Sequence, residues 1–509
     1  MLWRTIPEEK RKWWILAAMS ASVSMVFIDI TVLPVALPTM SRQLHFSELG
    51  LQWIINAYTL TLTVLVLAGG RIAQMFGLKR IFSLGICLFA LSSAMCGIGY
   101  TENWLIFSRV LQGASGALMV PATQAIISQS FPIEERGKAI GIFVSIGSIF
   151  LALGPLIGGY FTEYATWRYV FWINLPIAAI GVVLTQFTVP PFPNNKSRFD
   201  FIGFFTSLAG ISAIVIAIMQ AQQWGWTSPL TLSLLGIGIV FLYFLIQIER
   251  SKESPLIDFN LFKIPMIVPS LTAVSLTQFI LMITVFWTIF FQTISHFTPS
   301  EAGNLTFISC APLLIAAPLA GICVDRFGPK IPVAIGFTLL CFSLIWFVFI
   351  AKDSSIHGLL PSLLCFGIGV PFVFTSSSVA CLNAVPAEKR AITSGLLTLS
   401  RQFSATLGLA VFGTANMQWT NWRFTQFVKE QSSHENFDPA RFDGLLSHNP
   451  KALNALQEVP PDVAAIIQES LRNASISGFY LINLAAAMIA LIGLLITLKW
   501  MRKKKEMGQ

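Results

Sequence analysis

Charge is what this sequence has least of. Asp, Glu, Lys and Arg make up 11% of it, against roughly a quarter in soluble proteins. A water-soluble globule is thereby excluded, because a chain with 55% hydrophobic residues would carry more apolar surface than such a fold can hide. Nucleotide chemistry is missing too: no G-x-x-x-x-G-K-[ST] loop occurs, so active transport would need an ion gradient or a partner ATPase. The five histidines form no H-E-x-x-H pair and no nucleophile elbow is present, which leaves a membrane-embedded enzyme without a catalytic set. Cysteine is scarce and odd in number. All seven (Cys87, Cys96, Cys310, Cys323, Cys341, Cys365, Cys381) sit in hydrophobic runs, where they read as small packing residues rather than a disulfide framework or metal site.

What is there instead is a succession of hydrophobic runs of about twenty residues, each long enough to cross a bilayer as a helix. About fourteen such runs can be marked off, from Trp13–Leu37 to Ser475–Trp500, and the expected fold is an all-α integral membrane protein. The net charge of +9 falls between the runs and at the ends, not along one stripe, so no nucleic acid partner is expected. Basic residues cluster in alternate short loops, among them Lys10 to Lys12, Lys79 and Arg80, Arg136 and Lys138, Lys196 and Arg198, Lys389 and Arg390, and Lys499 to Lys505. The positive-inside rule then puts both termini in the cytoplasm and the chain in the inner membrane. The first run is too long for a signal-peptide core and reads as a retained helix.

An internal repeat is visible. Gly70-Arg-Ile-Ala-Gln-Met-Phe-Gly77-Leu-Lys79 recurs as Gly321-Ile-Cys-Val-Asp-Arg-Phe-Gly328-Pro-Lys330, and Phe131-Pro-Ile-Glu-Glu-Arg136 recurs as Val385-Pro-Ala-Glu-Lys-Arg390. Near-constant spacing pairs the first six spans (1–190) with the last six (264–509). Two spans in 191–263 are left over as an insert. A hydrophilic stretch, 416–474, reads as a long non-cytoplasmic loop: Leu453, Leu456, Val463 and Ile467 have helical spacing, but Pro460 and Pro461 interrupt it. It is either a partly ordered loop or a folded cap, and a candidate seat for a periplasmic adaptor protein.

These motifs resemble the major facilitator superfamily. Gly70 to Arg80, with Gly70, Arg71, Gly77, Lys79 and Arg80 in place, looks like its signature loop after the second helix, whose glycines permit a tight turn. Gln74 stands at the loop's acidic position and Met75 at the following arginine, whereas the second copy keeps Asp325, Arg326 and Gly328. Arg109-Val-Leu-Gln112-Gly113 resembles the family's fourth-helix motif, with a buried tie between helices as the plainer reading of Arg109. Gly141, Gly154, Pro155, Gly158 and Gly159 resemble its antiporter motif, with Phe150 at a usually small position; Gly154 and Gly158 form a small-x-x-x-small face and Pro155 would bend the helix. Asp29-Ile-Thr-Val-Leu-Pro34-Val-Ala-Leu-Pro38 and Trp167-Arg-Tyr-Val-Phe-Trp-Ile-Asn174-Leu-Pro176 are similar to signatures of the fourteen-helix drug:proton antiporter branch.

The resemblance implies two six-helix bundles and two extra helices around a central cavity, alternating access, no bound cofactor, and the proton gradient driving export of hydrophobic or amphipathic small molecules from the bilayer or cytoplasm. Dedicated export of one metabolite, or a non-transporting receptor on the same fold, would use the same motifs. Asp29 is the carboxylate deepest in any span, about eight residues or roughly 12 Å from the outer end of its helix. Arg109 enters at nearly the same depth. Burial favours a protonated acid and a nearby guanidinium favours the carboxylate, so separating the two would load and release a proton; a fixed structural ion pair is the alternative. Arg401 lies about eleven residues into its span, with no carboxylate in the other second-half spans, and is expected to face the cavity or a polar helix contact and to disfavour dicationic cargo.

Overall fold

The computed structural model describes residues 7–44, 48–192, 200–250, 258–295, 297, 299–350, 356–431 and 461–501, and all regular structure among them is helical. The first half comprises α1 (Glu8–Leu44), α2 (Glu48–Phe76), α3 (Leu78–Gly97), α4 (Glu102–Ser130), α5 (Arg136–Tyr164), and a broken sixth span of α6 (Tyr169–Trp172) and α7 (Asn174–Thr188). The insert is α8 (Phe201–Trp224) and α9 (Pro229–Arg250). The second half comprises α10 (Ile267–Leu281) and α11 (Ile283–Thr293) in one line, α12 (Pro299–Cys310) and α13 (Leu313–Phe327) in another, then α14 (Lys330–Ile350), α15 (Ile356–Asn383), α16 (Arg390–Gln431) and α17 (Pro461–Trp500).

Thirteen helical stretches among the described residues are long and apolar enough to cross a membrane. α16 is the long helix that fails this test, since Thr393, Ser394, Thr398, Arg401 and Gln402 dilute its apolar character. The protein is thus a multi-pass membrane protein of thirteen to fourteen apolar helices. Large side chains left exposed on the spans, such as Leu232, Ile239, Val240, Tyr243 and Phe244 on α9, fit a lipid environment, where helices can satisfy every backbone group internally.

The stretch 416–474, expected as a loop, is largely helix where it is described. Residues 416–431 prolong α16, and 461–474 open α17. Pro461 is the first residue of α17 rather than a break within it, the one helical position where a missing N–H costs nothing. Residues 432–460, with Leu453, Leu456 and Pro460, lie outside the described residues, as do Lys196 and Arg198 in the linker before the insert.

The halves repeat one packing scheme. α2 lies on α4 as α13 lies on α15, α1 on α5 as α10 on α16, and α3 on α7 as α14 on α17. Two equivalent seams join the halves: α5 against α13, and α16 against α2. Core residues from both halves merge along these seams, with Val324, Phe374, Leu382 and Leu396 in one cluster with Val64, Leu67, Ala122 and Ile126. The insert packs on itself and touches the rest through α8, against α2 and α16.

Candidate functional site

Three groups of residues singled out by the sequence converge here: a buried ion pair, a glycine seam, and a latch at the end of the bundle that carries the chain termini.

α1 and α4 pack together, and the structure brings Asp29, Arg109 and Gln112 into one cluster. Arg109 Nη1 donates to Asp29 Oδ2 at 2.5 Å and to Gln112 Oε1 at 2.7 Å, while Gln112 Nε2 donates to Asp29 Oδ1 at 3.0 Å. Arg109 Nε donates to the Ile54 carbonyl at 3.0 Å, and the guanidinium lies 4.4 Å from the Tyr58 ring centroid. Ser93 accepts from Gln112 Nε2 at 2.8 Å and from Asn174 Nδ2 at 3.2 Å. Asp29, Arg109, Gln112, Ser93, Asn174 and Tyr58 are each at most 1% exposed. Both carboxylate oxygens are therefore occupied, and the charges cancel inside a dry shell, which is what makes an ion pair tolerable at this depth. Of these partners, Ser93 and Tyr58 carried no sequence signal; Asn174 lay in a recognised motif whose chemistry its spacing did not disclose.

The glycine motif of α5 clamps this cluster's helix. A Cβ at Gly154 would overlap Thr31 Oγ1, one at Gly158 would sit 2.8 Å from the Val32 carbonyl, and one at Gly147 2.6 Å from the Phe27 ring. These three glycines hold α5 against α1 on either side of Asp29. Gly141, on the same helix, instead presses on the Ala317 carbonyl of α13 in the other half. Gly159 has nothing within 4 Å of where its Cβ would be, so it takes no part in this packing. α5 runs on through Pro155, whose side chain is outside the described residues.

The turns after α2, α4, α13 and α15 meet at the end of the bundle where α1 begins. Gly77 (φ 97°) and Gly328 (φ 80°) make the two repeated turns, in a backbone region that favours glycine. Asp325 accepts from the backbone N–H groups of Gly137 and Lys138, each at 3.2 Å. It thereby caps the N-terminus of α5 from the opposite half, where both the orphan N–H groups and the helix dipole favour an anion. The equivalent residue of the first copy, Gln74, donates instead to the backbone carbonyl of Glu388 just before α16. The first-half loop thus keeps a hydrogen bond across the seam but not the charge. Arg71 is buried, bonds Gln74 Oε1 at 3.4 Å, and lies in the field of Glu249, Asp200 and Asp258. Lys79 donates to the Val189 carbonyl at 2.7 Å, fastening α3 to the end of α7; Arg80 and Arg326 are exposed. Gly70 lets α2 meet the Ala391 carbonyl, 2.7 Å from a Cβ position.

Further bonds close the same end. Gln129 Nε2 donates to the Ala387 carbonyl (3.1 Å), Arg136 Nη1 to Asn383 Oδ1 (3.0 Å), Arg390 Nη1 to the Ser128 carbonyl (3.1 Å), and Ser394 Oγ to Gln124 Oε1 (2.9 Å). Lys389 Nζ pairs with Asp258 at 2.5 Å, tying the insert's exit to the second half. Burial alone would raise the Asp258 carboxyl, but hydrogen bonds from Lys389 and from the Asn260 backbone outweigh it and hold the acid below its usual 3.8. Along α16, Ala391 to Thr398 are all buried, and Leu399 to Phe403 are all partly exposed. Arg401 stands in that partly exposed stretch, its guanidinium 4.4 Å from the Phe374 ring centroid on α15. The structure does not join Arg401 to the Asp29 cluster.

Comparison with known proteins agrees with this architecture. The sequence model of the Major Facilitator Superfamily matches residues 19–201 and 201–409. The chain is 31% identical over 410 residues, 79% of its length and 76% of the relative's, to the multidrug resistance protein Stp of Mycobacterium tuberculosis. It is 29% identical over 407 residues, 79% and 76% of the two lengths, to a tetracenomycin C resistance and export protein of Streptomyces glaucescens. Among solved structures, the proton:xylose symporter XylE superposes with a TM-score of 0.61 at 14% identity, covering 98% of this chain and 97% of that one; this likeness speaks for the fold. With its repeated halves, its two glycine turns and a family match along most of its length, the chain belongs to the major facilitator superfamily, a family of transporters rather than enzymes.

Proposed function

We propose that this protein exports hydrophobic or amphipathic small molecules across the inner membrane, from a cytoplasm that holds both termini, by alternating access coupled to proton entry. The names of the relatives, multidrug resistance and antibiotic export proteins, support the cargo class. The positive-inside distribution of Lys and Arg supports a cytoplasmic position for the latched end, and on that reading this conformation is sealed inward.

The observation that carries the coupling is the Asp29, Arg109 and Gln112 cluster. A carboxylate with both oxygens filled by N–H donors has no vacancy for a proton, whereas one parted from Arg109 in a dry site readily takes one. The glycine seam makes α1 follow α5, and α5 is latched at its other end by Asp325. In the inward-sealed state a proton arriving from outside competes with Arg109 for Asp29, and parting the pair would shift α1, move α5 and free the latch. After inward opening the proton leaves to the cytoplasm, and the pair re-forms on the return. One proton returning inward yields about 2.3 kcal/mol per 100 mV and roughly 1.4 kcal/mol per pH unit, enough for a hundredfold or steeper gradient of cargo.

Asp29→Asn tests this in proteoliposomes. The variant keeps the side chain's size but gives up its charge and one of its two acceptors, so it should insert with reduced stability and bind cargo but lose uphill export under an imposed pH gradient, while cargo exchange without a gradient survives. Full gradient-driven export by that variant would remove Asp29 from the coupling. The adaptor suggested by the hydrophilic stretch remains part of the proposal: deleting 432–451 should abolish resistance in cells yet leave liposome transport intact.

A further inference from the structure

The second half contains a charge that no acidic side chain among the described residues is seen to answer. Arg401 is held by the face of Phe374 at 4.4 Å, and its Nε is buried without a hydrogen-bond partner among the described residues. Arg109, by contrast, is bonded to a carboxylate, an amide and a carbonyl. An aromatic face contributes only about 0.5–2 kcal/mol to a guanidinium, well short of the cost of an unanswered charge in the membrane interior. Arg401 is nonetheless partly exposed, as are its neighbours Leu399 to Phe403 on α16. On the same helix as Phe374, Thr375, Ser376 and Ser377 are buried and their hydroxyls have no partner among the described residues. Ser377, three residues beyond Phe374, shares that residue's side of the helix.

We infer that Arg401, backed by Phe374, anchors the acidic head of an amphipathic organic anion, so that the cargo of this exporter includes carboxylate- or phenolate-bearing compounds with a flat apolar body. The inference rests on the exporter reading above and narrows it. The chemistry is complementary at each point. A guanidinium presents a planar fork of donors that a carboxylate fills two at a time. The ring beneath it gives a flat cargo a surface to lie on. Arg401 puts a positive charge on the face of Phe374, which attracts an anion and repels a dication.

The test uses two dyes built on one tricyclic frame, anionic fluorescein and cationic rhodamine 123, in proteoliposomes with an imposed pH gradient, together with fluorescein binding by anisotropy on the purified protein. Arg401→Gln should weaken fluorescein binding and uptake roughly ten- to hundredfold, the loss of one charge-assisted pair, and leave rhodamine 123 flux unchanged or raised. Arg401→Lys should keep most of the fluorescein affinity, since it keeps the charge. Unchanged fluorescein binding in Arg401→Gln would overturn the inference, and so would equal loss of both dyes that Arg401→Lys fails to restore, which marks a structural role. Wild-type protein that moves rhodamine 123 but neither binds nor moves fluorescein would defeat the anion site and spare the exporter. Arg401-dependent fluorescein binding with no flux of either dye would do the reverse.

Discussion

The two halves share a scaffold and divide the chemistry. In the first, the buried arginine has its counter-charge built in, and the whole group is sealed by side chains from five elements. In the second, the partly exposed Arg401 is seen against only an aromatic ring among the described residues. The signature loops differ in the opposite sense: the second-half loop keeps its acid, Asp325, whereas the first has the neutral Gln74. Duplicated architecture therefore does not mean duplicated function. On the readings proposed above, one half would hold and exchange a proton and the other would meet a ligand.

The comparison breaks most sharply at the two arginines. Arg109→Gln strands the Asp29 carboxylate in a dry interior and should cost about 3–5 kcal/mol of stability, whereas Arg401→Gln should change stability by less than about 1 kcal/mol; thermal unfolding in detergent reads both. The double variant Asp29→Asn with Arg109→Gln should recover much of the first loss, and equal effects at the two arginines would erase the distinction. Next comes the glycine seam. Gly154→Ala drives a methyl into Thr31 and should destabilise by about 1–3 kcal/mol with loss of export, while Gly159→Ala, in open space, should be silent in the same transport assay.

The latches should differ less. Asp325→Asn removes a charged cap, worth about 1 kcal/mol, and should raise maleimide labelling of a cysteine placed at Ser394 about fivefold; Gln74→Ala, which removes a neutral bond, should raise it less. The smallest effect is expected of the partly exposed pair Lys389 and Asp258, worth under about 1 kcal/mol. Its sign follows from Asp258 being held below its usual 3.8: the contribution is complete above the unfolded value and lost as pH falls through the lower folded one. Lys389→Met should therefore cost stability at neutral pH, with the cost vanishing in acid below that value.

Much of this was legible beforehand because it lies in local pattern. The succession of apolar spans and the repeat of Gly70–Lys79 in Gly321–Lys330 follow from the sequence one residue at a time, and so did the expectation that Asp29 and Arg109 could pair, although α1 runs on to Leu44, fifteen residues beyond Asp29 rather than about eight. The shell around them was not legible: Ser93 and Tyr58 are ordinary residues on their helices and acquire a role only when α2, α3 and α4 are packed. The extent of α16 was misjudged for a related reason. Polarity after Ala415 reads as loop, yet a helix already anchored by its packing against α10 and α17 can carry polar residues beyond the apolar zone. Nor does the sequence distinguish Gly154 from Gly159, because which of two adjacent glycines meets a neighbour depends on the rotation of α5 about its own axis.

α5 gathers the latch, the inter-half seam and the clamp on α1 along a single helix, so it acts as a rigid lever. Gly137 and Gly154 are separated by about 26 Å at 1.5 Å per residue, and a tilt of only about 5° pivoting at one end moves the other by about 2 Å. That is as much as the gap between a closed ion pair and an open one. On the coupling proposed above, the loss of two N–H bonds at one face of the membrane would be geared to proton affinity deep within it, and stiffness rather than softness in α5 is what such a design would require.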